Sequence, residues 1–254
     1  MKKAVYFLLI AVIFFTGFKQ QPAQKITVAV AANMQYAMNE LKVQFEKETG
    51  ITLELIFGSS GKLTQQIEEG APYDVFVSAD INYPAELYSK KFAADSPKVY
   101  AKGLLVLWTI RTDVKPSSDL QFLSGDNIKK IALANPKTAP YGQAAEETLK
   151  HYKLYDQVKN KLVYGESISQ TNQFILTQSA DVGFTAKSVV LSDEMKDKGR
   201  WIDVDSKAYN PISQAAVVLT HGEENTKEAA EKFYNFLYSS SAKEIYKKFG
   251  YIVK

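Results

Sequence analysis

Residues 25–62, KITVAVAANMQYAMNELKVQFEKETGITLELIFGSSGK, contain the pattern that decides the fold. The run KITVAVA at residues 25–31 is rich in β-branched side chains and suits a buried strand. Apolar residues then recur at helical spacing over residues 34–45, and Gly50 ends that helix. Strand character returns in ITLELIF at residues 51–57. The stretch therefore predicts a strand, a helix and a second strand in series.

The same alternation continues along the rest of the chain. Further strands are predicted at residues 74–78, 103–110, 130–134, 161–164, 181–185 and 212–220, and further helices at residues 62–69, 143–152, 169–178, 225–238 and 241–249. Alternating strands and helices with short connections favour an α/β fold with mostly parallel pairing. About 230 residues is large for one sheet, so we expect two lobes. A single large sheet is the alternative.

The two most apolar strands, near residues 103–110 and 212–220, are the places where we expect the chain to cross between the lobes. This interpretation puts residues 25–103 and 210–254 in a first lobe and residues 104–209 in a second. The first lobe then takes back the C-terminal helices.

Residues 1–24 have the pattern of a secretory signal peptide: a basic start at Lys2 and Lys3, an uncharged run over residues 4–15, and a polar end. The apolar run is shorter than the ~20 residues that a spanning helix needs. A retained membrane anchor is the alternative. Because the sequence has no Cys, it offers no lipid-attachment cysteine and no disulfide, and we expect a protein free in the periplasm.

The net charge of +3 resides entirely in that segment. The sequence has 31 basic and 28 acidic side chains, and removing Lys2, Lys3 and Lys19 leaves equal numbers of each. A neutral domain has no bulk electrostatic reason to bind nucleic acid or an anionic membrane. We therefore expect no nucleic-acid partner.

The sequence gives little support for catalysis. The two histidines, His151 and His221, have no second His or Cys at ligand spacing, so a zinc or haem site is not expected. The turn GSSG at residues 58–61 lacks the further glycine of a hydrolase elbow and the residues that flank a P-loop. A secreted hydrolase using Ser59 or Ser60 as nucleophile remains an alternative, and it would need one of these histidines within hydrogen-bond reach.

Small, hydroxyl or amide residues lead into four of the predicted helices. The four segments are residues 31–33, 58–61, 139–142 and 165–168. A helix start presents unpaired backbone N–H groups and the positive end of a dipole, so several starts converging in a cleft can bind an oxyanion with neutral donors. Ordinary N-capping is the alternative at each one.

Four runs of this sequence resemble the periplasmic molybdate-binding proteins of ABC importers. They are residues 25–33, residues 57–63, the run GAPYDVFVSAD at residues 70–80, and residues 242–251. The resemblance implies a two-lobed, type II periplasmic binding protein fold, with a mixed, mostly parallel sheet in each lobe and a hinge of two crossing strands. It also implies a binding protein rather than an enzyme, with no cofactor, which closes on molybdate or tungstate and delivers it to a membrane permease. We expect it to act as a monomer.

The resemblance also implies the ligand-binding residues. Asn33 and Ser60 would donate from one lobe with side-chain and backbone groups, and Ala32 would contribute only its backbone. The backbone amides of Tyr141 and Ile168 would donate from the other lobe. Two further positions are possible ligands: Ser59, and Thr185, which stands where some members have a tyrosine donor. The metal would be bound only as its oxyanion.

A pocket of N–H and O–H donors without a carboxylate favours oxyanions that are fully ionised at neutral pH, because such ligands only accept hydrogen bonds. We accordingly expect the carboxylate of Glu166 to point away from the ligand. Sulfate would be rejected by cavity size. The alternative ligand is another oxyanion or a small carboxylate, held by a basic side chain. The two arginines, Arg111 and Arg200, lie outside the four helix starts.

Overall fold

The computed structural model of the protein describes residues 24–253. The segment predicted as a signal peptide, residues 1–24, lies outside this part except for its last residue. Within residues 24–253, no helix combines the length and apolar character that crossing a membrane requires.

Ten strands are present in the described part of the chain. They are β1 Lys25–Ala31, β2 Thr52–Gly58, β3 Val75–Val77, β4 Lys98–Gly103, β5 Leu105–Thr109, β6 Ile131–Ala134, β7 Leu162–Gly165, β8 Val182–Ala186, β9 Arg200–Asp203 and β10 Ile212–Val218. The strand predicted at residues 103–110 proves to be β5 alone, because the chain leaves β4 at Gly103 and begins β5 two residues later. Strands β4 and β9 were not predicted, since both carry charged residues.

Ten α-helices accompany these strands over residues 24–253. They are α1 Gln35–Thr49, α2 Ser60–Glu68, α3 Asn82–Ser89, α4 Pro140–His151, α5 Tyr155–Val158, α6 Ile168–Leu176, α7 Lys187–Val190, α8 Thr220–Asn225, α9 Lys227–Phe236 and α10 Ser240–Lys248. A 3-10 turn, Ala32–Met34, leads directly into α1. Helices α2, α4 and α6 begin one to three residues earlier than predicted, so the small residues before them belong to their first turns.

The strands form two five-stranded sheets, in the orders β2-β1-β3-β10-β4 and β7-β6-β8-β5-β9. The two-lobed α/β fold is therefore confirmed, and a single large sheet is wrong. Each sheet has two parallel and two antiparallel pairings. The parallel pairs come from the strand–helix–strand series, whereas the antiparallel pairs involve strands next to the two crossings. Parallel pairing is thus less dominant than the sequence pattern indicates.

Each sheet is covered by its own apolar core. The face of α1 predicted from its spacing, which includes Met38, Leu41 and Phe45, is fully buried against the first sheet. The C-terminal helix α9 packs on the same side, where the Phe233 and Phe236 rings lie 5.2 and 5.3 Å from the Phe45 ring. These contacts hold α1 against the first sheet, and the turn that carries Asn33 leads directly into α1.

Candidate functional site

The four helix starts meet at one cavity between the two sheets. Its lining residues come from all four and from the segment after β3, which adds Ala79: Ala31, Ala32, Asn33, Gly58, Ser59, Ser60, Ala79, Ala139, Pro140, Tyr141 and Ile168. The cavity volume is about 10 Å³, which is space for about one water molecule. No charged side chain lines it among the residues that the structure describes.

Close packing of helices on strands brings backbone amides to the cavity. In α4, a Cβ added at Gly142 would lie 2.0 Å from the carbonyl oxygen of Ala134, so only glycine lets this helix approach β6 so closely. Ser60, Tyr141 and Ile168 occupy the first turns of α2, α4 and α6. No carbonyl of the same helix precedes the N–H groups of a first turn, so these groups are available as donors.

The hydroxyl of Ser60 is oriented by a backbone group. Its Oγ accepts a hydrogen bond from the N–H of Ala79 at 3.0 Å, and Ser60 is 1% exposed. One lone pair of the oxygen is therefore used by the protein, while the hydroxyl hydrogen is left to donate. This arrangement makes Ser60 a donor toward a group in the cavity.

The side chain of Asn33 is bonded to Gln214 of β10 and to Tyr251 beyond α10, which with Gly103 at the end of β4 we call the hinge region. Its Nδ2 donates to Oε1 of Gln214 at 2.8 Å and to the hydroxyl of Tyr251 at 3.2 Å. Its backbone carbonyl accepts from Oγ of Ser188 at 2.8 Å and from the Tyr251 hydroxyl at 3.1 Å. Both side-chain hydrogens of Asn33 thus have partners in this structure, and its backbone N–H is the donor without a helical acceptor.

Tyr141 lines the cavity with its backbone and ring, while its hydroxyl extends to the hinge. The hydroxyl lies 3.5 Å from Nε2 of Gln214 and would be 2.0 Å from a Cβ added at Gly103. Burial raises the pKa of Tyr141 well above its usual value, and burial also raises the pKa of Tyr251 to about 12. Both phenols are consequently neutral at physiological pH and add no charge beside the cavity.

Thr185 does not line the cavity. Its Oγ1 donates to Oδ1 of Asn172 at 2.6 Å, and the residue is fully buried. The structure therefore brings six of the seven predicted ligand residues to the cavity and leaves Thr185 outside. The six are Ala32, Asn33, Ser59, Ser60, Tyr141 and Ile168.

Several residues around the cavity were missed by sequence reasoning. Gln214, Tyr251 and Ser188 hold Asn33, and Ala79 orients Ser60. Gln214 carried a signal that could have found it, since it is an amide inside a mostly apolar strand; in the structure it is fully buried. The others carry no local signal.

The histidines that a hydrolase would need and the arginine that a carboxylate-binding site would need lie away from the cavity. His221 Nδ1 is 2.9 Å from Oδ1 of Asp74, and His151 packs edge-on against Tyr152, so neither histidine is placed to activate a serine. Arg111 pairs with Asp113 and Asp181, away from the cavity. Within residues 24–253, no group of three or more His, Asp or Glu could hold a metal ion.

The two lobes contact each other directly at the rim of the cavity. The N–H of Gly61 donates to the carbonyl of Thr138 at 2.8 Å, and the ammonium of Lys62 pairs with the carboxylate of Glu166. Glu166 thus points to the rim and is absent from the cavity lining. The structure represents a closed cleft.

Comparison with known proteins places this geometry in a family. The model of the bacterial extracellular solute-binding proteins matches residues 26–252. The chain belongs to this family. Two relatives are the molybdate-binding proteins ModA of Azotobacter vinelandii and Rhodobacter capsulatus, which are 39% and 38% identical over 90% and 91% of this chain and 90% of each relative.

The solved structure of the periplasmic molybdate-binding protein of Azotobacter vinelandii superposes on this solute-binding protein with a TM-score of 0.84. The match covers 90% of this chain and 99% of that one at 33% identity. The family resemblance stated from the sequence is confirmed by these matches. Membership makes the chain a solute-binding component of transport rather than an enzyme.

Proposed function

We propose that this solute-binding protein captures molybdate, and also tungstate, and delivers it to the membrane permease of an ABC transporter. The observation that carries the proposal is the composition of the cavity. Four helix starts, two from each sheet, surround it with backbone and hydroxyl donors and with no charged side chain among the described residues. The molybdate-binding relatives from Azotobacter vinelandii and Rhodobacter capsulatus support this choice of ligand.

The donors are assigned residue by residue. In our proposal, Ser60 donates through its hydroxyl and backbone, and Ala32, Asn33, Tyr141 and Ile168 donate through backbone N–H groups. The positive ends of α2, α4 and α6 add a favourable field for an anion. Asn33 donates with its side chain only if one of its bonds to the hinge is released.

This donor set favours a dianion that carries no proton. A ligand such as molybdate accepts hydrogen bonds at every oxygen, whereas hydrogen phosphate must also donate one. The nearest carboxylate at the rim, that of Glu166, is paired with Lys62 and so offers no acceptor to the cavity. Hydrogen bonds to a charged acceptor are roughly twice as strong as neutral ones, so a few suffice for tight binding.

We propose that the protein works in the periplasm as a monomer, exported by the segment at residues 1–24. The lobes we assign, residues 25–103 with 210–254 and residues 104–209, close around the ligand. The change of sheet between β4 and β5 supports the first of these boundaries.

Isothermal titration of the purified protein with molybdate, tungstate, sulfate and phosphate tests the proposal. We expect tight binding of molybdate and tungstate, with sulfate and phosphate at least about 100-fold weaker, a difference of about 2.7 kcal/mol. Sulfate or phosphate binding as tightly as molybdate would contradict the assigned selectivity and favour a different oxyanion as the ligand.

A further inference from the structure

The hydroxyl of Ser59 is a buried polar group that the fold itself does not use. Ser59 is 4% exposed and lines the cavity. Its Oγ is buried and has no hydrogen-bond partner within the described part of the protein. Leaving a buried hydroxyl unpaired is unfavourable, so its position needs a reason.

Ser59 also departs from the usual behaviour of a serine at a helix start. It is the N-cap of α2 but makes no side-chain capping bond. By contrast, Ser167 accepts from the N–H of Gln170 at the start of α6, and Ser239 accepts from the N–H of Ala242 at the start of α10. Near Ser59, the N–H of Gly61 instead donates across the cleft to Thr138. The Ser59 hydroxyl is therefore not committed to the helix.

We infer that the Ser59 hydroxyl is a direct donor to the bound oxyanion, next to that of Ser60. This inference rests on the proposed function, because it names a further residue of the same site. The two serines then differ in character. The hydrogen bond from Ala79 uses one lone pair of Ser60 and orients its hydroxyl, whereas the Ser59 hydroxyl has no partner in the described part of the protein and is free to rotate toward a ligand oxygen.

A donor to the ligand and a structural hydroxyl respond differently to substitution. If Ser59 bonds only the ligand, Ser59→Ala removes an unpaired group from the unliganded protein and a hydrogen bond from the complex. Stability without ligand then stays equal or rises, while affinity falls. A hydroxyl with a structural role would lower stability without ligand.

The experiment compares wild type, Ser59→Ala and Ser192→Ala. Ser192 is a matched control, because it is also buried but bonds the carbonyl of Val189 and does not line the cavity. For each protein, thermal unfolding is measured in buffer free of molybdate, and molybdate affinity is measured by titration calorimetry. We expect Ser59→Ala to unfold no lower than wild type and to bind molybdate about 10- to 100-fold more weakly. Ser192→Ala should unfold lower and bind as wild type does.

Each result decides the inference. If the wild type binds molybdate and Ser59→Ala binds it equally tightly, the inference is wrong and the proposed function stands. A clear loss of stability in unliganded Ser59→Ala would also overturn it, because the hydroxyl would then act within the fold. A wild-type protein that binds none of the four anions would overturn the proposed function and this inference together.

Discussion

The two sides of the cavity are built from different chemical groups. On the side of the first sheet, Asn33, Ser59 and Ser60 bring polar side chains. On the side of the second sheet, the residues are Ala139, Pro140, Tyr141 and Ile168, whose side chains offer the cavity no donor. The first side therefore depends on which side chains are present, and the second depends on where the helices begin.

In the site that we propose, helix starts would bind the anion in two ways. The first lobe combines backbone N–H groups with side chains, of which Asn33 and Ser60 are held by hydrogen bonds and Ser59 is not. In the second lobe, close helix–strand packing, as at Gly142, is enough to position bare amides. Substitutions should consequently be costly on the first side and mild on the second.

The largest loss of molybdate affinity is expected on the first side, for Asn33→Asp. This substitution keeps the shape of the side chain but places a carboxylate beside a dianion, where repulsion amounts to several kcal/mol at about 5 Å. We expect molybdate affinity at pH 7 to fall by at least about 100-fold, and more than in Asn33→Ala, which keeps the backbone N–H that we assign as the donor. Calorimetry at a series of pH values provides the measurement.

Protonation supplies the control for Asn33→Asp. As the pH falls through the pKa of the new carboxyl, the repulsion disappears and the affinities of the Asp and Ala variants should converge. Equal affinities of the two variants at pH 7 would show that position 33 does not face the anion.

A smaller effect is expected for Ser60→Ala. Losing the hydroxyl hydrogen bond to the ligand should weaken molybdate binding by about 1–3 kcal/mol, or about 5- to 150-fold. Thr64→Val is the matched control, since the Thr64 hydroxyl lies one turn along α2 and bonds the carbonyl of Ser60 instead of facing the cavity. If both variants weaken binding equally, the loss reflects α2 as a whole and not a ligand contact.

The contrast between the two sides also shows what could be predicted from the sequence. The strand–helix–strand series and the four helix starts are local patterns, and the structure brings all four starts to one cavity. The hydrogen bonds of the Asn33 side chain, by contrast, do not follow from a local pattern. Its amide partner, Gln214, is 181 residues away along the chain, and no spacing rule connects the two.

The crossing at Leu104 illustrates a second limit. Residues 103–110 form one mostly apolar run without a charged residue. A hydrophobic pattern indicates that such a segment is buried but does not show which sheet it joins. In the structure β5 occupies this region, β4 ends at Gly103, and the two strands belong to different sheets. The hydrophobic pattern therefore identified the buried strand β5 and missed β4, the strand before it.

On the second side, Ile168→Val tests whether the backbone alone donates. The variant keeps the N–H and removes one methylene from a residue that is 4% exposed. We expect the free energy of unfolding to fall by about 0.5–1.5 kcal/mol, with molybdate affinity reduced by less than about threefold. Chemical unfolding and calorimetry measure the two quantities. A loss of affinity as large as that of Ser60→Ala would remove the distinction between the two sides.

The smallest effect should come from the rim, where Lys62 and Glu166 link the two sides without facing the cavity. Both side chains are about half exposed, and exposed ion pairs contribute little because water and salt screen them. In a double-mutant cycle of Lys62→Gln and Glu166→Gln, we expect the pair to change molybdate affinity by about twofold at low ionic strength. This coupling should vanish in high salt, whereas the effect of Ser60→Ala should persist there because its partner is enclosed. A coupling that exceeds tenfold, or that persists in high salt, would mean that closure of the cleft depends on this ion pair. The side-chain donors of the first lobe and the backbone donors of the second would then not by themselves account for the affinity.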